Sequence, residues 1–325
     1  MILARTPLRI SIAGGGTDLS SYYEKFGGSW ISAAINQYVF IGINRSFTNK
    51  YILRYSETEK VDKLDEIKHN AMREVLKIHD MPPVEVVSLA DIPSGTGLGS
   101  SGTFTVCLLR AIHAFKRRHV TPQALAEEAY NIERWVMGQP TGKQDQYIAA
   151  FGGLTCFDVD QAGEVRAYPL NIKPKTLRRL EDNLLLFFTG FARSSAELLS
   201  DQKMRSEAGD QEMIESLHFV RELGGKIKQA LLEGDLRKFG EYMHQHWLRK
   251  RERSEGMTNK QIDGWYDLAM KNGAVGGKVV GAGGGGFLLF YTEEPERLRA
   301  AMESAGLEEV RFNFDYDGPT VVMRD

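Results

Sequence analysis

Cysteine is nearly absent: Cys107 and Cys156 are the 2 in 325 residues, each inside an apolar segment. That excludes a disulfide framework and leaves two buried, reduced thiols. An excess of one charge is missing too. The 41 Lys and Arg face 43 Asp and Glu, a net charge of -2. This balance argues against a general nucleic-acid binder, which shows a basic face. No apolar run approaches the roughly 18 residues needed to span a bilayer. The opening MILARTPLRISIAGGG carries Arg5 and Arg9 inside its apolar stretch, which spoils the core of a signal peptide. The expectation is a cytoplasmic protein with no nucleic-acid and no membrane partner. At 42% hydrophobic and 26% charged, the composition is that of an ordinary globular chain. The length suits one large or two moderate domains. Repeats and low-complexity tracts are lacking.

The first half is rich in strands. ILARTPLRISIA reads as a strand halted by Gly14–Gly16. SWISAAI, YVFIGINRSF and YILRYS read as three more. KLDEIKHNAMREVLKIH has helical periodicity, and PPVEVVSLADIP is a strand closed by proline. TFTVCLLRAIHAFKRR reads as a buried helix, and Thr121-Pro122 as an N-cap with proline at the first helical position. LTCFDV and VRAYPL form a hairpin. Beyond about residue 175 the texture changes to the strand NLLLFFTG, helical periodicity over 195–272, a strand–glycine turn–strand unit, a helix and two short strands. This is an α+β chain with domains at 1–175 and 176–325.

Glycine is abundant, with 33 residues. PSGTGLGSSGTF (93–104) contains G-x-G-x-x-G at Gly97, Gly99 and Gly102, and a second match falls at Gly281, Gly283 and Gly286. A dinucleotide site needs strand, loop, helix and then a second strand. The first match is followed by two helices and the second runs straight into a strand, so both fail. A Walker A loop fails for want of its lysine. The physics survives: a strand feeds a glycine turn that opens a helix, and helix N-termini bind anions. A serine-capped tight loop is the plain alternative. Nearby, Glu133 and Asp145 flank a Gly-Pro turn, and two such carboxylates suit a metal ligand and a catalytic base. Taken alone, they also read as a helix-surface Glu and a helix-start Asp. GGGTD (14–18) suits a backbone-lined sugar pocket or a turn in which Asp18 caps a helix.

Three stretches, TPLRISIAGGGTD (6–18), PSGTGLGSSGTF (93–104) and GGKVVGAGGGGFLLF (276–290), resemble the three motifs of the GHMP small-molecule kinases, and GQPTGKQDQYIAAFGG (138–153) resembles the segment carrying their catalytic aspartate. They keep the family's order and span nearly the whole chain. The resemblance implies a ribosomal protein S5 domain 2-like N-terminal domain and a ferredoxin-like C-terminal domain. It implies ATP and Mg²⁺, with Pro93, Gly95, Gly97, Leu98, Gly99, Ser100, Ser101 and Gly102 around the phosphates. Ser101 and Glu133 match the metal ligands, Asp145 the base, and Arg9 the arginine that places it. Gly15, Gly16, Thr17, Asp18, Arg193, Gly283 and Gly284 would face the acceptor, a small sugar phosphate. A homodimer is a possible assembly.

Departures are informative. Galactokinases of the family carry Gly-Glu-His-Thr-Asp where this chain has Gly14-Gly15-Gly16-Thr17-Asp18, which leaves more room for the sugar. Gly102 replaces the usual alanine, at a small cost in helix propensity. FFTGFARSSAELL (187–199) and HWLRKR (246–251) resemble the branch that phosphorylates the anomeric hydroxyl of heptose 7-phosphates and L-fucose. A heptose 7-phosphate is the expected acceptor, an unphosphorylated sugar the alternative, and a non-catalytic sensor a third reading that the retained Asp145, Glu133 and Ser101 disfavour. A phosphorylated acceptor needs Arg or Lys. Arg193 is the first candidate; Lys175, Lys203, Arg249, Lys250, Arg251 and Arg253 follow. His244 and His246, two apart on a helix, read as packing or surface residues.

Overall fold

A computed structural model describes residues 1–190, 196–254 and 256–324. In chain order the elements are β1 (Ile2–Ala13), α1 (Ser20–Phe26), β2 (Gly28–Arg45), β3 (Tyr51–Arg54), β4 (Thr58–Val61), α2 (Asn70–Ile78), β5 (Val84–Ala90), α3 (Ser100–Phe115), α4 (Pro122–Asn131), α5 (Gln144–Phe151), β6 (Leu154–Val159), β7 (Val165–Pro169), α6 (Pro174–Asn183) and β8 (Leu184–Phe188). Then come α7 (Ala196–Glu207), α8 (Gln211–Glu233), α9 (Leu236–Arg251), α10 (Lys260–Lys271), β9 (Ala274–Val279), β10 (Phe287–Thr292), α11 (Pro295–Ser304), β11 (Glu308–Glu309) and β12 (Thr320–Arg324). Among the described residues no helix is long and apolar enough to cross a membrane.

The first sheet runs β12-β1-β2-β5-β3-β4, with β6 and β7 joined through β2. Two predicted strands, SWISAAI and YVFIGINRSF, are one 18-residue strand, β2. Its first half pairs with β6 and its second with β5, while β1 runs alongside both. The register shifts between Pro7 and Leu8, opposite Tyr38 and Ile35. Proline cannot donate to the ladder, so it sits where the ladder slips. The sequence pattern breaks at Asn36-Gln37 for that reason, although the chain stays extended. Helix α6 and strand β4 escaped the sequence reading. The predicted helix after residue 62 is a short 3₁₀ turn, Leu64–Glu66, and then α2.

The second sheet, β11-β8-β10-β9, is antiparallel throughout. Numbered along the chain, its strands stand fourth, first, third, second, the ferredoxin-like order. One core joins both halves: Leu8, Ile10, Ile35, Val106, Leu109 and Ile148 belong to the same buried cluster as Ile227 and Phe239. A smaller cluster around Trp247, Tyr266 and Phe290 also packs on the second sheet. The last strand does not stay with the second sheet. β12 pairs with the start of β1, Ile2 opposite Arg324, so the division at residue 175 does not hold for the final strand.

The two glycine turns interlock. A Cβ on Gly97 would lie 2.5 Å from Val280 O, one on Gly281 2.7 Å from Gly97 Cα, and one on Gly286 2.0 Å from Thr96 O. All three have positive φ, which side chains resist. Gly286→Ala is therefore expected to cost about 2 kcal/mol or more in chemical denaturation. Gly225→Ala, mid-helix in α8 with open space around it, should instead gain about 0.5–1 kcal/mol. Equal effects of the two would show that the interlock carries no stability.

Candidate active site

The main cleft lies where the two sheets meet. Its lining comes from all three glycine stretches, from α5, and from α7, α9 and β9. Arg9, in mid-β1, is buried and organises it. Its Nε donates to Asp145 Oδ1 at 2.8 Å and its Nη2 lies 2.7 Å from the same oxygen. Its Nη1 donates to Gly97 O, and its backbone N to Leu98 O at 3.0 Å. One residue thus ties the strand, the phosphate loop and α5 together. Both contacts fall on Oδ1, and among the described residues Oδ2 takes no hydrogen bond.

Helix α3 starts without a side-chain cap. Its N-cap is Gly99, left-handed at φ 76°, and its first turn has no acid. The N–H groups of that turn and the unpartnered, buried Ser100 Oγ offer donors to an anion at the cleft. Gly95, Gly97, Gly99, Ser100 and Ser101 all line it. Pro93, Leu98 and Gly102 do not. Pro93 is exposed and its carbonyl accepts from Thr96 Oγ1. The Leu98 side chain is fully buried in the core. Gly102 faces α5, where a Cβ would sit 2.8 Å from Asp145 Cβ. Its glycine is a spacer that lets α5 bring Asp145 close, more than a small propensity loss.

Glu133 sits in a π-helical turn, Ile132–Val136, that follows α4, a kind of irregularity common at functional sites. It is 1% exposed, behind Ser101 and off the cleft lining. Its Oε1 accepts from Ser101 Oγ at 3.2 Å and Thr105 Oγ1 at 2.6 Å, and its Oε2 from Gln146 Nε2 at 2.8 Å. Burial pushes its carboxyl up to about 7, against these donors, with Asp145 adding to the rise. Among the described residues it has no cationic partner. A buried carboxylate and a hydroxyl, short of a positive charge, fit Mg²⁺, which prefers oxygen ligands.

The Gly14–Asp18 stretch is held by Asp18, whose Oδ1 accepts from Gly16 N at 2.8 Å and Oδ2 from Gln144 N at 3.1 Å. Asp18 therefore caps the start of α5, not the following α1, and burial raises its carboxyl. Gly15, Gly16 and Asp18 line the cleft. Thr17 does not: it is fully buried, its Oγ1 within hydrogen-bond distance of Gly14 O and Ser29 O. Gly283 lines the cleft, whereas Gly284 lies off it, its N donating to Met257 O at 2.8 Å. Arg193 lies outside the described residues. Ser11 and Gln144, which the sequence reading passed over, complete a polar floor: Gln144 Nε2 donates to Ser11 Oγ and Ser32 Oγ.

The opposite wall is basic. Lys250, Arg253, Lys278 and His246 all line the cleft and are buried. Lys250 Nζ donates to Gly281 O, and Lys278 Nζ to Ile12 O at 2.9 Å. Among the described residues none of these cations forms an ion pair. Burial, reinforced by Lys278, Arg253 and Arg9, drives Lys250 well below the lysine range. Burial and Arg9 push Lys278 down to about 7. His246, read from the sequence as a packing or surface residue, is buried on α9 and also lines the cleft. Its stripe on α9, Phe239, Met243, His246, Trp247 and Lys250, follows helical periodicity, so polar groups on an apolar face were the missed signal. Lys203 pairs with Glu207 and Arg251 with Asp263, neither on the cleft.

This is the geometry of a kinase of known family. The GHMP kinases N terminal domain matches residues 66–153, and the GHMP kinases C terminal domain residues 227–308. The chain is 30% identical to D-glycero-alpha-D-manno-heptose 7-phosphate kinase of Campylobacter jejuni, over 98% of this chain and 97% of that one. It is 23% identical to the L-fucokinase/L-fucose-1-P guanylyltransferase of Bacteroides fragilis, over 96% of this chain and 37% of that protein. The crystal structure of a D-glycero-D-manno-heptose 1-phosphate kinase from Bacteroides thetaiotaomicron superposes with a TM-score of 0.81, at 26% identity and full coverage of both chains. The chain belongs to the GHMP kinases. It is a phosphotransferase with an alcohol group as acceptor, an ATP-dependent sugar kinase.

The buried lysine gives a test. Lys278 titrates near 10.5 when free and about 7 when folded, so folding penalises its charged form. The penalty is absent above about 10.5, grows as pH falls, and is constant below about 7. Lys278→Met should raise the Tm of the ligand-free protein at pH 7, with a gain that shrinks toward pH 10. A lower Tm at every pH would mean that the bond to Ile12 O outweighs burial.

Proposed function

We propose that this kinase transfers the γ-phosphoryl group of ATP to the anomeric hydroxyl of D-glycero-D-manno-heptose 7-phosphate, giving the 1,7-bisphosphate and ADP. The observation that carries the reading is the Arg9–Asp145 pair, set between the phosphate loop and the Gly15–Asp18 floor. The similarity to the Campylobacter kinase along the whole chain supports the choice of sugar.

The roles follow from position. The backbone of Gly95–Gly99 and the start of α3 would hold the triphosphate. Asp18, Gln144 and Ser11 would take sugar hydroxyls, with Gly15 and Gly16 letting the ring approach. Arg9 holds Oδ1 of Asp145, so the free Oδ2 receives the proton of the attacking hydroxyl. The new O–P bond forms as the bond to the ADP oxygen breaks, and the proton leaves Asp145 for solvent. Ser101 and Glu133 would hold Mg²⁺, which when bound neutralises charge on the phosphoryl group.

Kinase assays over a panel of free and phosphorylated sugars test the substrate. The 7-phosphorylated heptose should give the highest kcat/KM, and a free sugar that matches it would overturn the choice. Asp145→Asn should lower kcat by ~10²–10⁴-fold while ATP still binds by calorimetry. Near-normal turnover in that variant would remove Asp145 from the role of base. Ser101→Ala and Glu133→Gln should each raise the Mg²⁺ concentration needed for half-maximal rate more than the sugar KM. Unchanged Mg²⁺ titrations in both would discard the ligand assignment.

A further inference from the structure

Arg253, immediately after α9, is buried to 6% exposure. Its Nε donates to Ser216 Oγ at 3.2 Å and its Nη1 to Gln202 Oε1 at 3.3 Å. Its Nη2 is buried and, among the described residues, has no partner. Beside it in the cleft lining, both ring nitrogens of His246 are buried and, among the described residues, without partners. Its side-chain partners are neutral and the nearby Arg249 carries the same sign of charge; such a guanidinium is costly unless a counter-charge completes it, and among the described residues no carboxylate does.

The position separates this group from the ATP side. A Cβ on Gly16 would lie 3.1 Å from Arg253 Nη1 and 2.9 Å from Gln202 Nε2. Gln202 Nε2 in turn donates to Gly16 O at 3.0 Å. Arg253 is thus built against the stretch that faces the acceptor. Lys250 is on the other side of the same wall, bonded to Gly281 O, whose residue touches Gly97 of the phosphate loop.

We infer that Arg253, held by Gln202 and Ser216 and flanked by His246, forms the subsite for a phosphate group already present on the acceptor. The free Nη2 supplies a donor in a fixed plane, and a neutral imidazole adds a second donor. The inference rests on the proposed acceptor being a sugar phosphate, and it names the residues that read that phosphate. Arg193, the first candidate for this role in the sequence, lies outside the described residues.

The test measures kcat/KM for heptose 7-phosphate and for the free heptose in wild type, Arg253→Ala, Arg253→Lys and His246→Ala, with KM for ATP and Tm recorded in parallel. A charge-assisted contact to a dianion implies a loss of roughly ten- to a hundred-fold on the phosphorylated sugar for Arg253→Ala. The free sugar and ATP should change little. Arg253→Lys should recover part of the loss, because a point charge replaces a fork, and it guards against a variant that merely misfolds. Should wild type prefer the phosphorylated sugar while Arg253→Ala loses equally on both sugars, the subsite is overturned and the choice of substrate stands. A wild type indifferent to the phosphate overturns the choice of substrate, and the subsite with it. A rise in KM for ATP confined to Arg253→Ala and Arg253→Lys would move the residue to the nucleotide and overturn the subsite alone.

Discussion

The contact between Arg9 and Asp145 sets much of the local architecture. Arg9 stands opposite Ala34 in the β1–β2 ladder, so its backbone cannot move without moving the sheet. Its side chain must then cross the phosphate loop to reach α5. A Cβ on Gly99 would lie 3.0 Å from Arg9 Cγ, so glycine clears the path. The other end needs α5 close to α3, and Gly102 against Asp145 Cβ supplies that approach. The glycines of PSGTGLGSSG thus answer two demands at once. Some open the backbone to a ligand, and others make room for protein.

Seen from that pair, the cleft divides by charge. One side offers carboxylate, amide and hydroxyl oxygens: Asp18, Gln144, Ser11 and Asp145. The other offers Lys250, Arg253 and Lys278, buried and without ion pairs among the described residues. Burial opposes the charge of each, and so does a neighbouring cation: Lys278 and Arg253 for Lys250, Arg9 for Lys278, and Arg249 for Arg253. On the proposed reading, ligand anions would remove that penalty when they bind, concentrating binding energy at the phosphates. A net charge of -2 gives no hint of this wall, because summed charge carries no position.

What could be read in the sequence was local. Glycine turns between strand and helix, the Thr121-Pro122 start of α4, and the order of the three motifs all depend on neighbours in the chain. The ferredoxin-like order of the second sheet was legible only through resemblance. The basic wall was not read from the sequence, since a count of 41 basic residues does not say which are buried. Lys278 lies in β9 between two glycines and Val279-Val280, and His246 in the apolar stripe of α9. In each case a polar residue broke a hydrophobic pattern, and that was the available signal. Thr17 and Leu98 fail in the opposite way. They stand inside motifs but turn their side chains into the protein, because consecutive residues of a tight turn cannot all face one ligand.

The pairing of β12 with β1 explains why the last strand belongs with the first sheet. β1 carries Arg9, and without β12 its opening residues would form a sheet edge, with N–H and C=O groups unpaired. β12 covers Ile2 to Arg5, and Arg5 Nη2 lies 3.5 Å from Asp317 Oδ2 just before it. From Arg9 onward the strand is held on one edge by β2 and on the other by the glycine loop, through the bond from Arg9 N to Leu98 O. Lys278 Nζ adds a third tie, to Ile12 O from the second sheet. The arginine is therefore fixed by contacts from both ends of the chain and from both sheets. A strand placed in this way keeps the aspartate's partner in register, while the helices α7 and α9 line the opposite side of the cleft.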